Sequence, residues 1–290
     1  MRYDVIVVGS GGAAPSAAVS AAVGVARVVV LERAPVFGGT TAISGARMWL
    51  PLNPVGREMG YEDPEAEVRE YLVQLSVGRT NDRVLDAFVS ALPDAFEMLT
   101  TETSTGFEAT TNPGYQLGLA GAKPGRRSIW PAIFDGNRLG DLLPLVRDTP
   151  HPVGMPPVLM KELADSSWGL GENGDGWAAI DEKAEGKLGK GRALIGTLLE
   201  ACMYRNVTLI SYAHVTELNF GKSDSVRDVL TVIDGKSQMI SAKSGVVFAS
   251  GGFDWNNQLW RDLVGTPLDS PVSVPTNEGG APRMAMAPNF

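Results

Sequence analysis

The sequence predicts an α/β fold in which helices cover a sheet that contains parallel strands. Residues 5–8 and 28–31 are short apolar runs, and the alanine-rich stretch 13–23 between them reads as a helix that Gly24 ends. Strands that are apolar on both faces are typical of a parallel sheet covered by helices. A third apolar run, residues 245–249, lies near the end of the chain. We therefore expect an N-terminal βαβ unit whose sheet is extended by a late strand.

The middle of the chain is expected to contain two helices and a long insertion. Residues 38–54 are rich in Gly, Thr, Ser and Pro, which indicates a loop with close backbone approaches. Residues 64–77 are expected to be helical. The triplet Thr80-Asn81-Asp82 offers a cap for a second helix with one apolar face, in which Pro93 predicts a kink. Residues 100–189 lack a regular pattern and are expected to form long loops and short elements.

Regular patterns return toward the end of the chain. Residues 192–204 predict an amphipathic helix, and residues 207–210 a short apolar strand. Three alternating segments then predict an antiparallel β-meander, followed by a separate buried strand: residues 215–220, 228–233 and 238–242, then 245–249. The element order predicts one split domain over residues 1–275, with core segments 1–60 and 190–275 around an insertion of residues 61–189.

Composition argues against several classes of function. The net charge of −8, without a basic stripe, argues against nucleic-acid binding. No apolar run reaches the length of a membrane span, and the N-terminus lacks the layout of a signal peptide, so we expect a cytoplasmic protein. Cys202 is the only cysteine, and His151 and His214 are the only histidines. We therefore expect neither an internal disulfide nor a metal site.

The first predicted strand runs directly into a phosphate-binding pattern. The run Gly9-Ser10-Gly11-Gly12-Ala13-Ala14 matches G-x-G-x-x-[G/A], which between a strand and a helix is the dinucleotide fingerprint. Gly9 permits the tight turn, Gly11 lets the backbone approach a pyrophosphate, and Ala14 packs the helix against the strand. The N–H groups of Gly11, Gly12 and Ala13 would bind the anion at the positive end of the helix.

Two further residues decide whether this fingerprint works. Pro15 follows it directly, but the first N–H groups of a helix have no intrahelical partner, so a proline there removes no helix bond. Its remaining cost is steric, because it disfavours helical angles at Ala14. Glu32 ends the second strand at about the twenty-residue spacing of an acid that accepts ribose hydroxyls. A carboxylate there also disfavours the 2′-phosphate of NADP.

A second loop, rich in glycine and hydroxyl groups, favours a flavin over a nicotinamide. A nicotinamide domain has no need of such a loop, whereas the ribityl chain and ring of a flavin extend past the first loop and need more hydrogen-bond donors. The residues that supply them are Gly38, Gly39, Thr40, Thr41, Ser44 and Gly45. An ordinary solvated turn remains an alternative interpretation of this loop.

These features resemble the flavoproteins of the 3-ketosteroid dehydrogenase and fumarate reductase superfamily, in particular its ketosteroid 1-dehydrogenase branch. The resemblance extends in order over nearly the whole chain. It is carried by Gly38-Gly39-Thr40-Thr41, Ser44-Gly45, Met48-Trp49-Leu50-Pro51, Gly125-Arg126-Arg127-Ser128, Phe134-Asp135-Gly136, Gly191-Arg192-Ala193-Leu194 and Ala249-Ser250-Gly251-Gly252-Phe253. It implies a Rossmann-like FAD-binding domain of the glutathione reductase type, with an antiparallel β-meander and a helical and loop insertion.

The resemblance also implies roles for individual residues toward FAD. The fingerprint would hold the pyrophosphate, and Glu32, with Arg33 beside it, the adenosine ribose. Thr40, Thr41, Ser44 and Gly45 would line the ribityl chain and flavin ring. Val215 would meet adenine through its backbone, although core packing explains Val215 and Ala249 equally well. The adenosine side would be closed by Ala249, Ser250, Gly251 and Gly252.

The implied reaction removes two hydrogens from adjacent carbons beside a ketone, in a steroid-like substrate. A base takes the acidified proton, flavin N5 takes a hydride, and hydrogen-bond donors stabilise enolate charge. Tyrosines do much of this work in the ketosteroid family, and Tyr115 falls in the corresponding stretch, residues 112–124. Leu117, Gly118 and Leu119 replace the Asp-Tyr-Tyr that follows in the family. Tyr115 is therefore a candidate catalytic residue, with a packing role as the favoured alternative.

Residues 277–287 resemble the family segment N-T-G-D-G-I-R-M-A-M-A, which leads into the substrate domain. Gly280 stands in place of the family's aspartate, and Pro282 falls where a helix is expected. We therefore assign residues 276–290 to the start of a substrate domain whose remainder, or a partner chain that supplies it, lies outside this sequence. The electron acceptor is not specified. A fumarate- or succinate-type reductase and a non-catalytic FAD-binding relic remain alternatives.

Overall fold

The computed structural model describes residues 1–109, 114–148, 185–220 and 226–286. The main sheet consists of β1 (Arg2–Val8), β2 (Val28–Leu31), β8 (Thr208–Ile210), β9 (Ala213–Phe220), β10 (Val226–Ile233) and β11 (Lys236–Phe248). Its strand order is β8-β2-β1-β11-β10-β9, and its parallel pairs confirm the predicted α/β class. Smaller sheets pair β3 (Met48–Trp49), β5 (Ser128–Pro131) and β4 (Phe107–Ala109), and β6 (Phe134–Asp135) with β7 (Lys187–Leu188).

The helices account for most of the remaining regular structure. They are α1 (Ala13–Val23), α2 (Gly39–Ala42), α3 (Pro54–Glu58), α4 (Glu65–Ser76), α5 (Asp82–Thr101), α6 (Lys190–Tyr204), α7 (Asn257–Val264) and α8 (Gly280–Ala285). The stretch Gly136–Leu145 is 3-10 helical and breaks at Gly140. Among the residues that the structure describes, no helix combines the length and apolarity that a membrane crossing needs.

The parallel half of the sheet follows from the two apolar runs near the N-terminus. β1 pairs in parallel with β2 and with β11, and β2 pairs in parallel with β8. On one face, Val7 and Val30 pack with small residues of α1 and with Cys202 of α6. On the other face, Ile6 and Leu31 share a core cluster with residues of the meander. The first βαβ unit is therefore buried on both sides, as strands without polar alternation require.

The meander differs from the sequence prediction at its last strand. Residues 238–242 and 245–249 were expected to be separate strands, but β11 is continuous from Lys236 to Phe248. Its first part pairs antiparallel with β10, whereas Ser241 onward pairs in parallel with β1. Gly245 has φ +151°, and the register with β1 shifts between Tyr3 and Val5. A glycine at such an irregularity accommodates the shift in register within one continuous strand.

The insertion begins with the two predicted helices. α4 and α5 lie where the sequence predicts them, and Asn81 Oδ1 accepts a hydrogen bond from Val84 N at 3.1 Å, which caps α5. α5 runs on through Pro93, the predicted kink position, to Thr101. Of the predicted irregular stretch 100–189, residues 110–113 and 149–184, including His151, lie outside the described residues.

A buried ion pair holds the insertion's loops together. Nε and Nη2 of Arg127 donate to the carboxylate of Asp63 at 2.9 and 2.7 Å, and its Nη1 donates to the carbonyl of Gly121 at 2.8 Å. Both side chains of the pair are almost fully buried, and the guanidinium lies over the ring of Tyr71. Because several donors are satisfied at once, the charges are compensated despite their burial.

Candidate functional site

A cavity of about 380 Å³ lies at the carboxyl ends of β1 and β2. Ligands of open α/β sheets bind in this position. The fingerprint supplies one wall through Gly9, Ser10, Gly11, Gly12 and Ala13. The other predicted cofactor-binding residues that line it are Glu32, Arg33, Gly39, Thr40, Thr41, Val215, Ala249, Ser250 and Gly251. The fold therefore gathers, at one place, residues that are separated by more than two hundred positions in the chain.

Gly9 is a glycine because two strands approach each other at this point. Its φ is +107°, and a Cβ built on it would overlap the carbonyl oxygen of Ala249 and lie 2.8 Å from Ser250 Cα. The N–H of Gly9 donates to Leu31 O at 2.8 Å, and the N–H of Ala249 donates to Val8 O at 2.9 Å. The first loop is thus held between the ends of β2 and β11, and only a residue without a side chain fits there.

Pro15 leaves this loop intact, as the sequence analysis predicts. α1 begins at Ala13 with Gly12 as its N-cap, so Pro15 is the third helical residue. Ala14, which Pro15 was expected to push away from helical angles, lies within the helix and is fully buried. A proline in the first turn removes only an N–H that has no partner within the helix. The positive end of α1 therefore remains directed to the loop that lines the cavity.

The second predicted loop packs directly against the first. Thr41 Oγ1 accepts a hydrogen bond from Gly12 N at 2.9 Å, and a Cβ on Gly39 would lie 3.3 Å from Gly11 Cα. Gly38, the N-cap of α2, has φ +118°. In this structure the N–H of Gly12 is therefore committed to Thr41. Gly11 and Ala13 supply the other two predicted anion donors. In the part of the chain that the structure describes, no side chain accepts a hydrogen bond from their N–H groups.

Glu32 is held in a small buried network with Ser10. The Ser10 hydroxyl donates to Glu32 Oε2 and accepts from Gly38 N at 2.9 Å, and Glu32 Oε1 accepts from Ala34 N at 2.7 Å. Only 6% of Glu32 is exposed, yet it lines the cavity. A carboxylate has about four acceptor sites, so it retains capacity for ribose hydroxyls. The side chain of Ser10 orients Glu32 and the second loop.

A third wall of the cavity comes from residues 273–284, which span the predicted boundary between the FAD-binding domain and the start of the substrate domain. Ser273, Val274, Thr276 and Asn277 line the cavity, and Gly280, Ala281 and Met284 of α8 do so as well. Thr40 Oγ1 accepts hydrogen bonds from Val274 N and Asn277 Nδ2, both at 3.3 Å. Residues on both sides of the predicted boundary at position 275 thus line one cavity. None of these residues was among the predicted site residues, although for those from position 277 onward the resemblance of residues 277–287 to a family motif was a signal.

Pro282 is accommodated in the same way as Pro15. α8 begins at Gly280 with Gly279 as its N-cap, so Pro282 is also a third helical residue. Its position was expected to interrupt a helix, but the first turn has no bond for it to break. The N–H of Arg283 still donates to Gly279 O at 3.0 Å.

The remaining predicted residues lie behind or beside the described lining of the cavity. Ala14, Gly38 and Gly252 belong to the supporting backbone. Ser44 O accepts a hydrogen bond from Gly191 N at 3.1 Å. A Cβ built on Gly45 would lie 3.9 Å from the ring of Trp130. A Cβ on Gly191 would overlap Thr41 O, so α6 packs directly against the second loop. Gly191 is a residue that the predicted site set omits, although it is part of a motif that carries the resemblance.

Tyr115, the candidate catalytic residue, is not among the described residues that line the cavity. Its side chain is 76% exposed, and its backbone carbonyl accepts a hydrogen bond from Tyr71 Oη. The favoured alternative, a packing aromatic, does not describe so exposed a ring. A role for Tyr115 in proton transfer stays a prediction.

Charged groups surround the mouth of the cavity near Val215. His214 lines the cavity beside Arg33, whose guanidinium pairs with Glu278 at 2.5 Å. Burial and, second, the charge of Arg33 lower the pKa of His214, while Glu278 opposes this shift. Burial lowers the pKa of Arg147 as well, and the nearby Glu32 carboxylate opposes that effect. No group of His, Cys, Asp and Glu residues suited to a metal ion occurs in the part of the chain that the structure describes.

Similar proteins are consistent with this geometry. A family model described as "FAD binding domain" matches residues 4–288. The chain is 36% identical over 289 residues to 4-oxocyclohexanecarboxylate 2-dehydrogenase of Sinomonas cyclohexanicum. This match covers 98% of this chain and 49% of that protein. The chain is also 30% identical over 293 residues to 3-oxosteroid 1-dehydrogenase of Mycolicibacterium smegmatis. That match covers 94% of this chain and 51% of that protein.

Among solved structures, the 3-ketosteroid delta1-dehydrogenase of Sterolibacterium denitrificans superposes with a TM-score of 0.84 at 27% identity. Its crystal structure contains 1,4-androstadiene-3,17-dione, and the match covers 98% of this chain and 54% of that one. The chain therefore spans about half the length of the relatives it matches. With the family model matching nearly every residue, the predicted cofactor is confirmed: the chain belongs to the FAD binding domain family.

Proposed function

We propose that this chain forms the FAD-binding part of a dehydrogenase that removes two hydrogens from adjacent ring carbons beside a ketone. The single observation that carries this proposal is the cavity at the ends of β1 and β2, where the fingerprint, Glu32 and the Thr40–Thr41 loop meet. The names of the relatives supply the substrate class, because 4-oxocyclohexanecarboxylates and 3-oxosteroids are both cyclic ketones. The substrate class is thus a cyclic ketone, and a steroid is one member of it.

The residues of the cavity fit FAD. N–H groups of Gly11 and Ala13, at the positive end of α1, would hold the pyrophosphate. Glu32, fixed by Ser10 and the N–H of Ala34, would accept the hydroxyls of the adenosine ribose. The hydroxyls of Thr40 and Thr41 and the backbone of Ser250 would contact the rest of the cofactor. When bound, FAD supplies the acceptor for the hydride that leaves the substrate.

The chain's own residues contribute binding and orientation in this proposal. Residues of the third wall line one side of the cavity, where they would shield a bound cofactor from water and so strengthen its polar contacts. The proton that leaves the carbon beside the ketone needs a base, and Tyr115 is the candidate from this chain. The relatives extend over about twice its length, so further groups of the active site belong to the whole protein.

A fumarate- or succinate-type reduction gains no specific support from the cavity. Among the described residues that line the cavity, His214 is the histidine, and the proposed adenine contact, Val215, is the next residue. In this proposal His214 would lie at the adenosine end, away from the part of the cofactor that reacts. The substrates named for the two relatives compared above are cyclic ketones.

The test begins with cofactor binding and uses Gly11→Ala, a variant that should weaken FAD binding without disturbing the fold. A Cβ at Gly11 would meet only Thr41 Oγ1, at 3.7 Å, so the protein itself accommodates it. It would, however, place a methyl group where the pyrophosphate approaches. We expect wild-type protein to retain about one FAD per chain after gel filtration. Gly11→Ala should bind FAD at least about tenfold more weakly, which corresponds to a loss of about 1.4 kcal/mol in binding free energy.

The matched control is Gly118→Ala, because Gly118 is exposed and a Cβ there meets nothing within 4 Å. It should bind FAD as the wild type does. Dye-coupled oxidation of 3-oxosteroids, 4-oxocyclohexanecarboxylate and succinate then compares the substrate classes. Wild-type protein that retains no FAD would refute the proposal, and turnover of succinate alone would replace the cyclic ketone with a dicarboxylate.

A further inference from the structure

The third wall of the cavity is held mainly by contacts within its own part of the chain. The N–H of Trp255 donates to Asn277 O at 3.0 Å, and its Nε1 donates to Ser273 O at 2.9 Å. Asn256 Nδ2 donates to Glu278 O at 3.1 Å, and the N–H of Gly279 donates to Gly252 O at 3.1 Å. Residues 252–256 and 273–279 therefore form one local unit, which we call the cover segment.

Few polar contacts join the cover segment to the opposite side of the cavity. Thr40 Oγ1 accepts two hydrogen bonds from it, both at 3.3 Å, which is beyond the usual length of a strong N–H···O bond. The third polar contact is the ion pair between Arg33 Nη1 and Glu278 Oε2 at 2.5 Å. Apolar support comes from Met284, which packs against the core cluster of Val215. The ion pair is thus the shortest polar contact across the mouth.

Arg33 and Glu278 belong to opposite walls. Arg33 follows Glu32 at the end of β2 and lines the cavity, whereas Glu278 lies between lining residues Asn277 and Gly280. Their side chains are 39% and 47% exposed, so salt in solution reaches them. Arg33 was predicted to contact the cofactor, whereas Glu278 had no predicted role. In the structure the guanidinium of Arg33 already has a carboxylate partner from the cover segment.

From this arrangement we propose that Glu278 is a positioning residue, whose ion pair with Arg33 closes the cover segment over the cavity and slows release of the bound dinucleotide. This inference rests on the proposed function, since the dinucleotide is FAD. A dinucleotide that lies under the cover segment cannot leave until Arg33 and Glu278 separate. Retention of FAD then depends on this pair and weakens as ionic strength rises.

The test measures the rate of FAD dissociation from reconstituted protein by the recovery of FAD fluorescence, at low and high salt. Glu278→Gln keeps the shape of the side chain and removes its charge. We expect it to release FAD about two- to fivefold faster than wild type at low salt, as for a partly exposed ion pair. Its rate should also respond less to salt than the wild-type rate does.

Two controls separate the ion pair from a general effect of charge. Glu217→Gln removes an exposed carboxylate from β9 and should leave the dissociation rate unchanged. The charge swap Arg33→Glu with Glu278→Arg should restore slow hydrogen–deuterium exchange of residues 273–286 in the FAD-free protein, compared with either single variant. A structural role of Glu278 alone would give no rescue. Equal dissociation rates of Glu278→Gln and wild type at both salt concentrations overturn the proposal.

A second readout needs no cofactor. Hydrogen–deuterium exchange of the FAD-free protein should be faster in peptides that cover residues 273–286 in Glu278→Gln than in wild type. Unchanged exchange there overturns the idea that the pair holds the segment. Wild-type protein that binds no FAD overturns the proposed function and the role in retention, and exchange still reports whether Glu278 holds the cover segment.

Discussion

Gly9→Ala tests whether two chain segments meet as closely at the fingerprint as the structure shows. Alanine at φ +107° is strained by about 1–2 kcal/mol, the cost of a left-handed conformation for a residue with a Cβ. The Cβ would also overlap Ala249 O and lie 2.8 Å from the carbonyl carbon of Ala249 and from Ser250 Cα. Because these are backbone atoms, relief requires movement of β1 against β11, and overpacking of this kind costs about 1–3 kcal/mol.

Gly265→Ala is the matched control for this variant. Gly265 ends α7 with φ +76°, but a Cβ there meets nothing within 4 Å. Both variants share the strain at positive φ and the loss of freedom in the unfolded chain. The difference between their free energies of unfolding therefore isolates the overlap, and we expect Gly9→Ala to be less stable than Gly265→Ala by about 1–3 kcal/mol.

The assay is urea unfolding of the FAD-free proteins, followed by circular dichroism. Leaving FAD out keeps cofactor binding from contributing to the measured stability. A total loss of about 2–5 kcal/mol for Gly9→Ala would be a large part of the stability of a typical domain, about 5–15 kcal/mol. Equal stability of the two variants would refute the close approach of Gly9 to Ala249, and with it the geometry assigned to the first loop.

Three further predictions follow from the first turn of α1, the Glu32 network and the buried thiol. Pro15→Ala should lower the free energy of unfolding by no more than about 1 kcal/mol and change FAD affinity by no more than about twofold, because Pro15 replaces no helix hydrogen bond. A tenfold gain in FAD affinity in a titration would mean that Pro15 obstructs the site. Ser10→Ala should lower the free energy of unfolding by about 1–3 kcal/mol in urea, since Glu32 Oε2 loses its donor and the N–H of Gly38 loses its buried acceptor. A loss under about 0.5 kcal/mol would contradict the network. Burial raises the pKa of the Cys202 thiol from 9.0 to about 12. The folded protein should therefore not react with a thiol reagent at pH 8, and rapid reaction at this pH would contradict the burial of Cys202. Because the folded pKa lies above the unfolded one, the contribution of Cys202 to stability is full below about pH 9 and is lost as pH rises toward 12, which unfolding at a series of pH values would measure.

The sequence by itself determined the βαβ unit, the fingerprint and the cofactor. α1 and β2 have the predicted bounds, because an alanine-rich run between two apolar strands leaves little choice of local structure. The outcome at Pro15 was also predictable, since it depends only on the position of a proline relative to the first turn of a helix. These conclusions require only contacts between neighbours in the sequence or the spacing of a known motif.

Only the tertiary structure decided which distant segments complete the cavity. Sequence patterns gave no reason to place Thr40 beside Asn277, or Arg33 beside Glu278, because each pair is separated by more than two hundred residues. The continuity of β11 was likewise hidden, since its second half follows the pairing offered by β1 rather than a local turn signal. Long-range pairing depends on how the sheet and its covering loops pack together, and alternating or polar residues are compatible with several such packings.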